Sequence, residues 1–333
     1  AASDVYKRQV LTLGPEQWSR LRELYKRLTT HAHDNVRNSL AASLHQMAKI
    51  IGPKATCQDL IPVSDQFFRD TCVEVTATML EHMDEFWLML PVEAAREQLL
   101  RVPALWLTDY AHEWRLRQSI AAHIPALIPT MLLGDEDGCL ITLSLLALND
   151  PVNALRNIGI QCVPITYRTF REHDDTIADG FLSMLCDMAH ASTSRQRTTF
   201  LNIVQSLLEH DLSRERFERL ILPCLLELAV DGVSDVNIAL ARTVQQVWLL
   251  GWYNNETMPA ALRQVVATLL IAPTLTVQEF MQSLDPPILT HDMQPMPLNK
   301  RHPLVFGPAP PILDNTIIPM PHSDESEHST EVL

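Results

Sequence analysis

Val36-Arg37-Asn38-Ser39-Leu40-Ala41-Ala42-Ser43-Leu44-His45-Gln46-Met47-Ala48-Lys49-Ile50-Ile51 is the stretch from which the rest of the chain can be read. Val36, Leu40, Leu44, Met47 and Ile51 share one helix face, because steps of three and four residues keep to whole turns. Forty residues on, the pattern returns. Positions 40, 80, 120, 160, 200 and 240 hold Leu40, Leu80, Ile120, Ile160, Phe200 and Leu240. Seven positions later stand Met47, Trp87, Leu127, Tyr167, Leu207 and Val247. All of these are apolar. In a chain that is 47% hydrophobic, chance would produce that on the order of once in 10⁴ trials. A third column reads Arg37, Ala77, Arg117, Asn157, Arg197 and Asn237, with Arg156 beside the fourth.

Ahead of each such helix lies a second apolar set, such as Leu21, Leu24 and Leu28, or Ile221, Leu225 and Leu228. Short polar turns, Thr30 to Asp34 and Val230 to Ser234, join the two. One hairpin cannot bury its own apolar face, but a stack of hairpins can. A two-helix unit of about 40 residues has the length of a HEAT repeat. The chain is therefore expected to be all-α, an α-α superhelix of HEAT type over 14–284, with six copies to 251 and a partial seventh. Pro151 and Pro259 are expected in helix first turns, and Pro125 and Pro164 are expected to kink or end their helices.

The ends read differently. Residues 1–13 lack the beat and are expected to be non-native or frayed, with Asp4 to Gln9 resembling an adapter remnant and the chain an N-terminally truncated piece. Residues 286–321 hold ten of the 22 prolines, and 322–333 are polar and acidic. That composition predicts a disordered tail over 285–333. Ser323-Asp324-Glu325-Ser326-Glu327 has the look of an acidic phosphorylation site, set against a merely solvated tail.

Composition excludes much chemistry. Lys and Arg number 26 against 40 Asp and Glu, a net charge of −14, which opposes nucleic-acid binding and a polybasic membrane anchor. The nine glycines never fall two or five apart, so neither a dinucleotide turn nor a P-loop is encoded. Gly134 and Gly138 flank Glu136 where a hydrolase elbow needs Ser. The 13 His and six Cys show no zinc spacing. The cysteines read as free thiols of a reducing compartment, which gives a cytoplasmic expectation with a nuclear pool. Asp135-Glu136-Asp137-Gly138 lacks the alternating ligands of a calcium loop, and His31 and His33 are weak metal candidates. No cofactor and no metal is expected.

Trp114-Arg115-Leu116-Arg117 resembles the Trp-Arg-x-Arg element of the protein phosphatase 2A scaffold (A) subunit. Asp150-Pro151-Val152 through Leu155-Arg156 and Arg195-Gln196-Arg197-Thr198-Thr199 follow in the order of its C-terminal repeats. The closer resemblance is to the regulatory subunit 1 family of protein phosphatase 4. Trp18, Leu21-Arg22, Tyr25, Val36-Arg37, Leu40-Ala41, His45 and Ala48 carry it, continued by Asp59-Leu60-Ile61-Pro62 and Glu74-Val75. It covers about 14–250. Thr76, Ala77 and Asn237 depart from it, standing where these families usually carry Arg.

The resemblance implies a non-catalytic scaffold that holds a serine/threonine phosphatase catalytic subunit on the turns within its repeats and positions substrates or further regulatory subunits. The partner-binding residues it implies are Trp114, Arg115, Arg117, Asp150, Leu155, Arg156, Arg195, Arg197 and Asp235. The recurring arginines also have a structural reading, pairing with Asp109, Asp150 or Asp231 of the same or adjacent turns. Trp114 also has one, packing between neighbouring helices. The alternatives are another HEAT adaptor, such as a transport receptor for basic cargo, and a base-excision enzyme, which the acidic charge disfavours.

Overall fold

The computed structural model describes residues 16, 18–134, 138–210, 212–254, 256–272 and 275–282. Among these, every regular element is helical. Helix α1 (Trp18–Thr29) turns back into α2 (Asp34–Ile51). Helix α3 spans 53–67 with a π turn at Thr56–Leu60. It is followed by α4 (Val73–Leu80) and α5 (Met83–Trp87). Helices α6 (Val92–Leu99) and α7 (Val102–Leu107) lead to α8 (Trp114–Met131). Helix α9 (Cys139–Asn149) pairs with α10 (Asn153–His173), and α11 (Asp175–Cys186) with α12 (Ser194–His210). Helix α13 spans 214–228 with a second π turn at Phe217–Ile221, and pairs with α14 (Ser234–Leu249). Helices α15 (Ala260–Leu270) and α16 (Leu275–Gln282) end the described part.

These are stacked hairpins, numbered here as repeats 1 to 7, each with a first and a second arm. Second arms pack on second arms of the next repeat: α2 on α4 and α5, these on α8, then α10, α12, α14 and α16. First arms do the same, α7 with α9 and α13 with α15. One core runs from Trp18 to Met281. The all-α repeat architecture expected from the forty-residue beat is the one observed. No helix among the described residues is long and apolar enough to cross a membrane. The expectations for residues 1–13, for the 285–333 tail and its acidic serines, and for the Asp135–Asp137 turn lie outside the described residues.

Of the apolar columns, every residue is buried except Ile160, which is only half-buried. The cause is a slip in register. Helix α10 starts at Asn153, so its seventh residue is Gly159, the counterpart of Leu40, Ile120, Phe200 and Leu240. A Cβ at Gly159 would lie 2.9 Å from the Leu148 backbone nitrogen and 3.0 Å from its Cγ. The missing side chain lets α10 close onto α9.

Three local expectations are corrected. Of the two outcomes expected at Pro125 and Pro164, the helix end is the one overturned: Pro125, with Pro129, lies inside α8, and Pro164 lies inside α10, and both helices run on past them. Burial of Ile124, Leu127, Ile128, Val163 and Tyr167 around them outweighs the local cost of proline, about 3 kcal/mol. Pro151 stands two residues before α10, and Pro259 is the N-cap of α15 rather than a first-turn residue. The second arm of repeat 2 is broken at His82, whose φ of −126° and ψ of 22° are not helical. No Gly or Pro marks that break; His82 instead stacks on His45 of the preceding repeat, ring centroids 4.1 Å apart.

Candidate partner-docking site

Three residues before each second arm begins stand His31, Asp70, Ala111, Asp150, Ala191 and Asp231. Three residues after its first residue stand Arg37, Thr76, Arg117, Arg156, Arg197 and Asn237. The fixed forty-residue register misses two of these, at 76 and 156, because the turns differ in length. Where an arginine meets an aspartate of the next repeat, the pair forms a fork. Arg37 donates Nε and Nη2 to Asp70 at 2.7 and 2.8 Å. Arg117 does so to Asp150 at 2.8 and 3.4 Å, and Arg197 to Asp231 at 2.6 and 3.2 Å.

The third nitrogen, Nη1, donates to two carbonyls of the arginine's own turn: His31 and Ala32, Tyr110 and Ala111, Ala191 and Ser192. Each aspartate also accepts a backbone N–H two residues on, from Cys72, Val152 or Val233. That is an Asx turn, and it leads the chain into the helix. The clamp therefore joins two turns and orders both. The Arg37 guanidinium holds the Asp70 carboxyl below the ordinary aspartate value.

This placement divides the residues implied as partner contacts. Arg117, Asp150 and Arg197 are buried in clamps, and Leu155 is 0% exposed in the core. A partner cannot reach them without opening the array, so they brace it. Asp109 takes no part in a clamp and pairs with exposed Arg69 at 3.4 Å. Trp114, Arg115, Arg156, Arg195 and Asp235 remain accessible at the starts of α8, α10, α12 and α14. Trp114 packs one side on the core, and the Arg115 guanidinium lies over its ring at 4.8 Å.

Arg156 differs from the clamped arginines. Nη1 makes the same bonds to its own turn, Asp150 and Pro151 carbonyls at 2.8 Å, and Nη2 reaches Asn153 at 3.0 Å. The matching residue of the next repeat is Ala191, which has no carboxylate. Burial, and then the nearby Arg195 charge, hold Arg156 below the ordinary arginine value. Arg156, Arg195 and Arg242 line a groove of about 500 Å³ across α10, α12 and α14. Asp235 is its acidic residue, Asn153 and Asn202 supply amides, and Ile160 and Ile238 supply apolar wall.

One group among the described residues has the makings of a metal site: His45, His82 and Glu85, with ligand atoms within 4.8 Å of one another. The Lys49 ammonium already sits 2.8 Å from Glu85 Oε2. Its hydrogen bond is the main cause of a Glu85 carboxyl lower than usual. The cluster is charge-paired as it stands, and it links repeats 1 and 2.

Residues 8–105 match the family model for the protein phosphatase 4 regulatory subunit 1 middle domain. The human serine/threonine-protein phosphatase 4 regulatory subunit 1 is 29% identical over 242 residues, 72% of this chain and 25% of that protein. The mouse protein gives the same figures. The chain is similar to regulatory subunit 1 of protein phosphatase 4. It spans about a quarter of the length of the curated relatives it matches. Among solved structures, the designed armadillo repeat protein YIII(Dq)4CqI superposes with a TM-score of 0.33 at 16% identity, covering 79% of this chain and 98% of that one. An engineered protein gives 0.38 at 13%, covering 83% and 68%. The fold rests on the chain's own repeating hairpins, not on these superpositions.

Beyond the residues that the sequence marks, the site includes Arg242, Asn153 and Asn202. Arg242 carries a legible signal: it lies seven residues, two turns, beyond Asp235 on one face of α14. Asn202 carries none, since it becomes part of a site only when α12 is laid between α10 and α14.

Proposed function

We propose that the chain is a non-catalytic regulatory or scaffold module that holds a serine/threonine phosphatase catalytic subunit, of the phosphatase 4 or 2A type, and positions substrates against it. The observation that carries this reading is the similarity to phosphatase 4 regulatory subunit 1 over 242 residues. The accessible row at the starts of α8, α10, α12 and α14 supports where docking occurs. Trp114 and Arg115 open that row. A rigid aromatic surface under a forked donor is the composition of an interface hot spot. Contacts spread over successive repeats reinforce one another through effective concentration. The same reading puts the protein in the cytoplasm with a nuclear pool, which imaging of the tagged chain checks.

Capture of purified phosphatase 4 and 2A catalytic subunits on the immobilised chain tests it. Trp114→Ala with Arg115→Ala is expected to cost about 2 kcal/mol of affinity, roughly thirtyfold. Unchanged capture by that variant removes the docking edge from these residues. Failure of the wild-type chain to capture either subunit sinks the reading itself. A receptor for basic cargo would need an acidic groove, and the groove over repeats 4 to 6 carries three arginines against one aspartate.

A further inference from the structure

We propose that the groove across α10, α12 and α14 binds an extended acidic peptide segment of a partner protein, its carboxylates pairing with Arg156, Arg195 and Arg242. The groove shares Arg156, Arg195 and Asp235 with the accessible row but not Trp114 and Arg115, and the peptide reading does not depend on which enzyme the chain serves.

The first argument is charge. In a chain of net charge −14, three guanidinium groups converge on one groove of about 500 Å³ with a single aspartate. Elsewhere the second-arm arginines at this point of the repeat spend their charge on an aspartate of the next repeat. Arg156 keeps the same backbone anchors but meets Ala191 instead, so its charge is presented outward. With Nη1 anchored on the turn and one Nη2 hydrogen on Asn153, Nε and the other Nη2 hydrogen remain as a fork preorganised for a carboxylate.

The second argument is geometry. Packed helices lie about 8–10 Å apart, and an extended chain advances about 3.3–3.6 Å per residue. A segment crossing the arms thus meets successive helices with about every third side chain. Arg242 lies two turns along α14 from Asp235, about 10 Å, so the path runs obliquely rather than straight across. Asn202 offers both donor and acceptor for peptide groups, Asn153, whose Oδ1 takes Arg156 Nη2, offers its amide N–H, and Ile160 and Ile238 give apolar wall for the intervening side chains. Asp235 repels an acidic side chain at one corner and accepts a backbone N–H there, which fixes the register. A nucleic acid is the poorer fit: its continuous charge would run beyond the groove onto an acidic surface.

The test uses a fluorescein-labelled dodecapeptide with Glu at every third position, its Gln counterpart, and a twelve-nucleotide oligo-dT. Binding to the whole chain is read by fluorescence anisotropy. The Glu peptide is expected to bind and the Gln peptide not. Raising salt from about 50 to 300 mM should weaken the complex. Arg195→Glu should weaken it by about tenfold and Arg195→Glu with Arg242→Glu by more. Arg242 also lies 5.5 Å over the Phe280 ring, so the exposed Arg195 single variant, checked for fold by circular dichroism, decides. Trp114→Ala with Arg115→Ala should leave peptide affinity unchanged, which separates this site from the contact at Trp114 and Arg115. Equal affinity of wild type and Arg195→Glu overturns the proposal. So does oligo-dT binding as tightly as the Glu peptide, which would make the groove a general polyanion surface.

Discussion

The junction between repeats 3 and 4 and the junction between repeats 4 and 5 are built on the same helix packing, α8 on α10 and α10 on α12. The matching turn residue has nearly the same backbone angles in both: Asp150 has φ −61° and ψ 141°, Ala191 φ −60° and ψ 146°. The arginines above them bond their own turns alike. The carboxylate is the difference that decides the junction. It is present at 150 and absent at 191, so Arg117 is locked and Arg156 is left to line a groove. The same alternation runs along the chain, with Asp70, Asp150 and Asp231 in even repeats and His31, Ala111 and Ala191 in odd ones. The apolar beat has a period of forty residues and the brace a period of eighty. Clamped pairs of repeats therefore alternate with junctions where this stabilisation is withheld; Thr76 and Asn237 are buried at two of them, and Arg156, between repeats 4 and 5, is the residue left open to a ligand.

The comparison breaks most forcefully at Asp150. Asp150→Ala strands the Arg117 guanidinium, whose side chain is 6% exposed, and also removes the acceptor for the Val152 N–H. Breaking a buried pair from one side costs about 3–5 kcal/mol. Urea denaturation should show that loss, with faster hydrogen exchange concentrated in α8 and α10. A loss below about 1 kcal/mol would mean the clamps are ornaments and the alternation carries no mechanical meaning.

Gly159→Ala tests the contact between the two arms of the same repeat. The added Cβ meets Leu148 backbone at 2.9 Å, and backbone cannot rotate away. Overpacking of this kind costs about 1–3 kcal/mol, more than the helix propensity of Ala over Gly returns, about 1 kcal/mol. A lower thermal midpoint is expected. A raised one would show that α9 and α10 can part without penalty.

How much of this was legible in the sequence follows from which forces have a local signature. The helical hairpins were, because burial on one face imposes a period that survives even with nine glycines and 22 prolines. The structural role of Arg117 and Arg197 was, because recurrence at the repeat length marks a brace. The register slips at Thr76 and Arg156 were not, since a turn shorter by one residue shifts a column without changing its composition. The helices running past Pro125 and Pro164 were not, because tertiary burial overrode the local preference. The groove was half legible: Arg156, Arg195 and Asp235 stood in the right turns, but Arg242 and Asn202 join them only through the stacking of α10, α12 and α14.

Ala191→Asp sharpens the comparison by supplying what the fourth junction lacks. The backbone already has the conformation of Asp150, so the new carboxylate can accept the Thr193 N–H and the Arg156 fork. An added turn cap of this kind stabilises by about 1 kcal/mol. A rise of the unfolding midpoint is expected in Ala191→Asp and not in Ala191→Asp with Arg156→Gln. The same substitution should weaken the acidic peptide, because Arg156 is then neutralised from within. Stabilisation that persists without Arg156 would assign the gain to the turn alone.

The smallest effect is the pH dependence of a clamp. The Arg37 hydrogen bond holds Asp70 below its ordinary range, so the folded value lies under that of the unfolded chain, about 3.9. A depressed carboxyl contributes stability that is complete above the unfolded value and is lost as pH falls through the folded one. Asp59, in the same junction, follows the same sign: burial is its largest influence and pushes it up, but bonds from Lys26 and Trp18 bring it lower overall. The stability difference between wild type and Asp70→Asn should therefore be constant from pH 8 to about 5 and shrink below about 4. Thermal midpoints of the two proteins at matched pH give that difference directly. A gap that widened on acidification would mean that Asp70 is held protonated, and the clamp between repeats 1 and 2 would then be a neutral hydrogen bond instead of an ion pair.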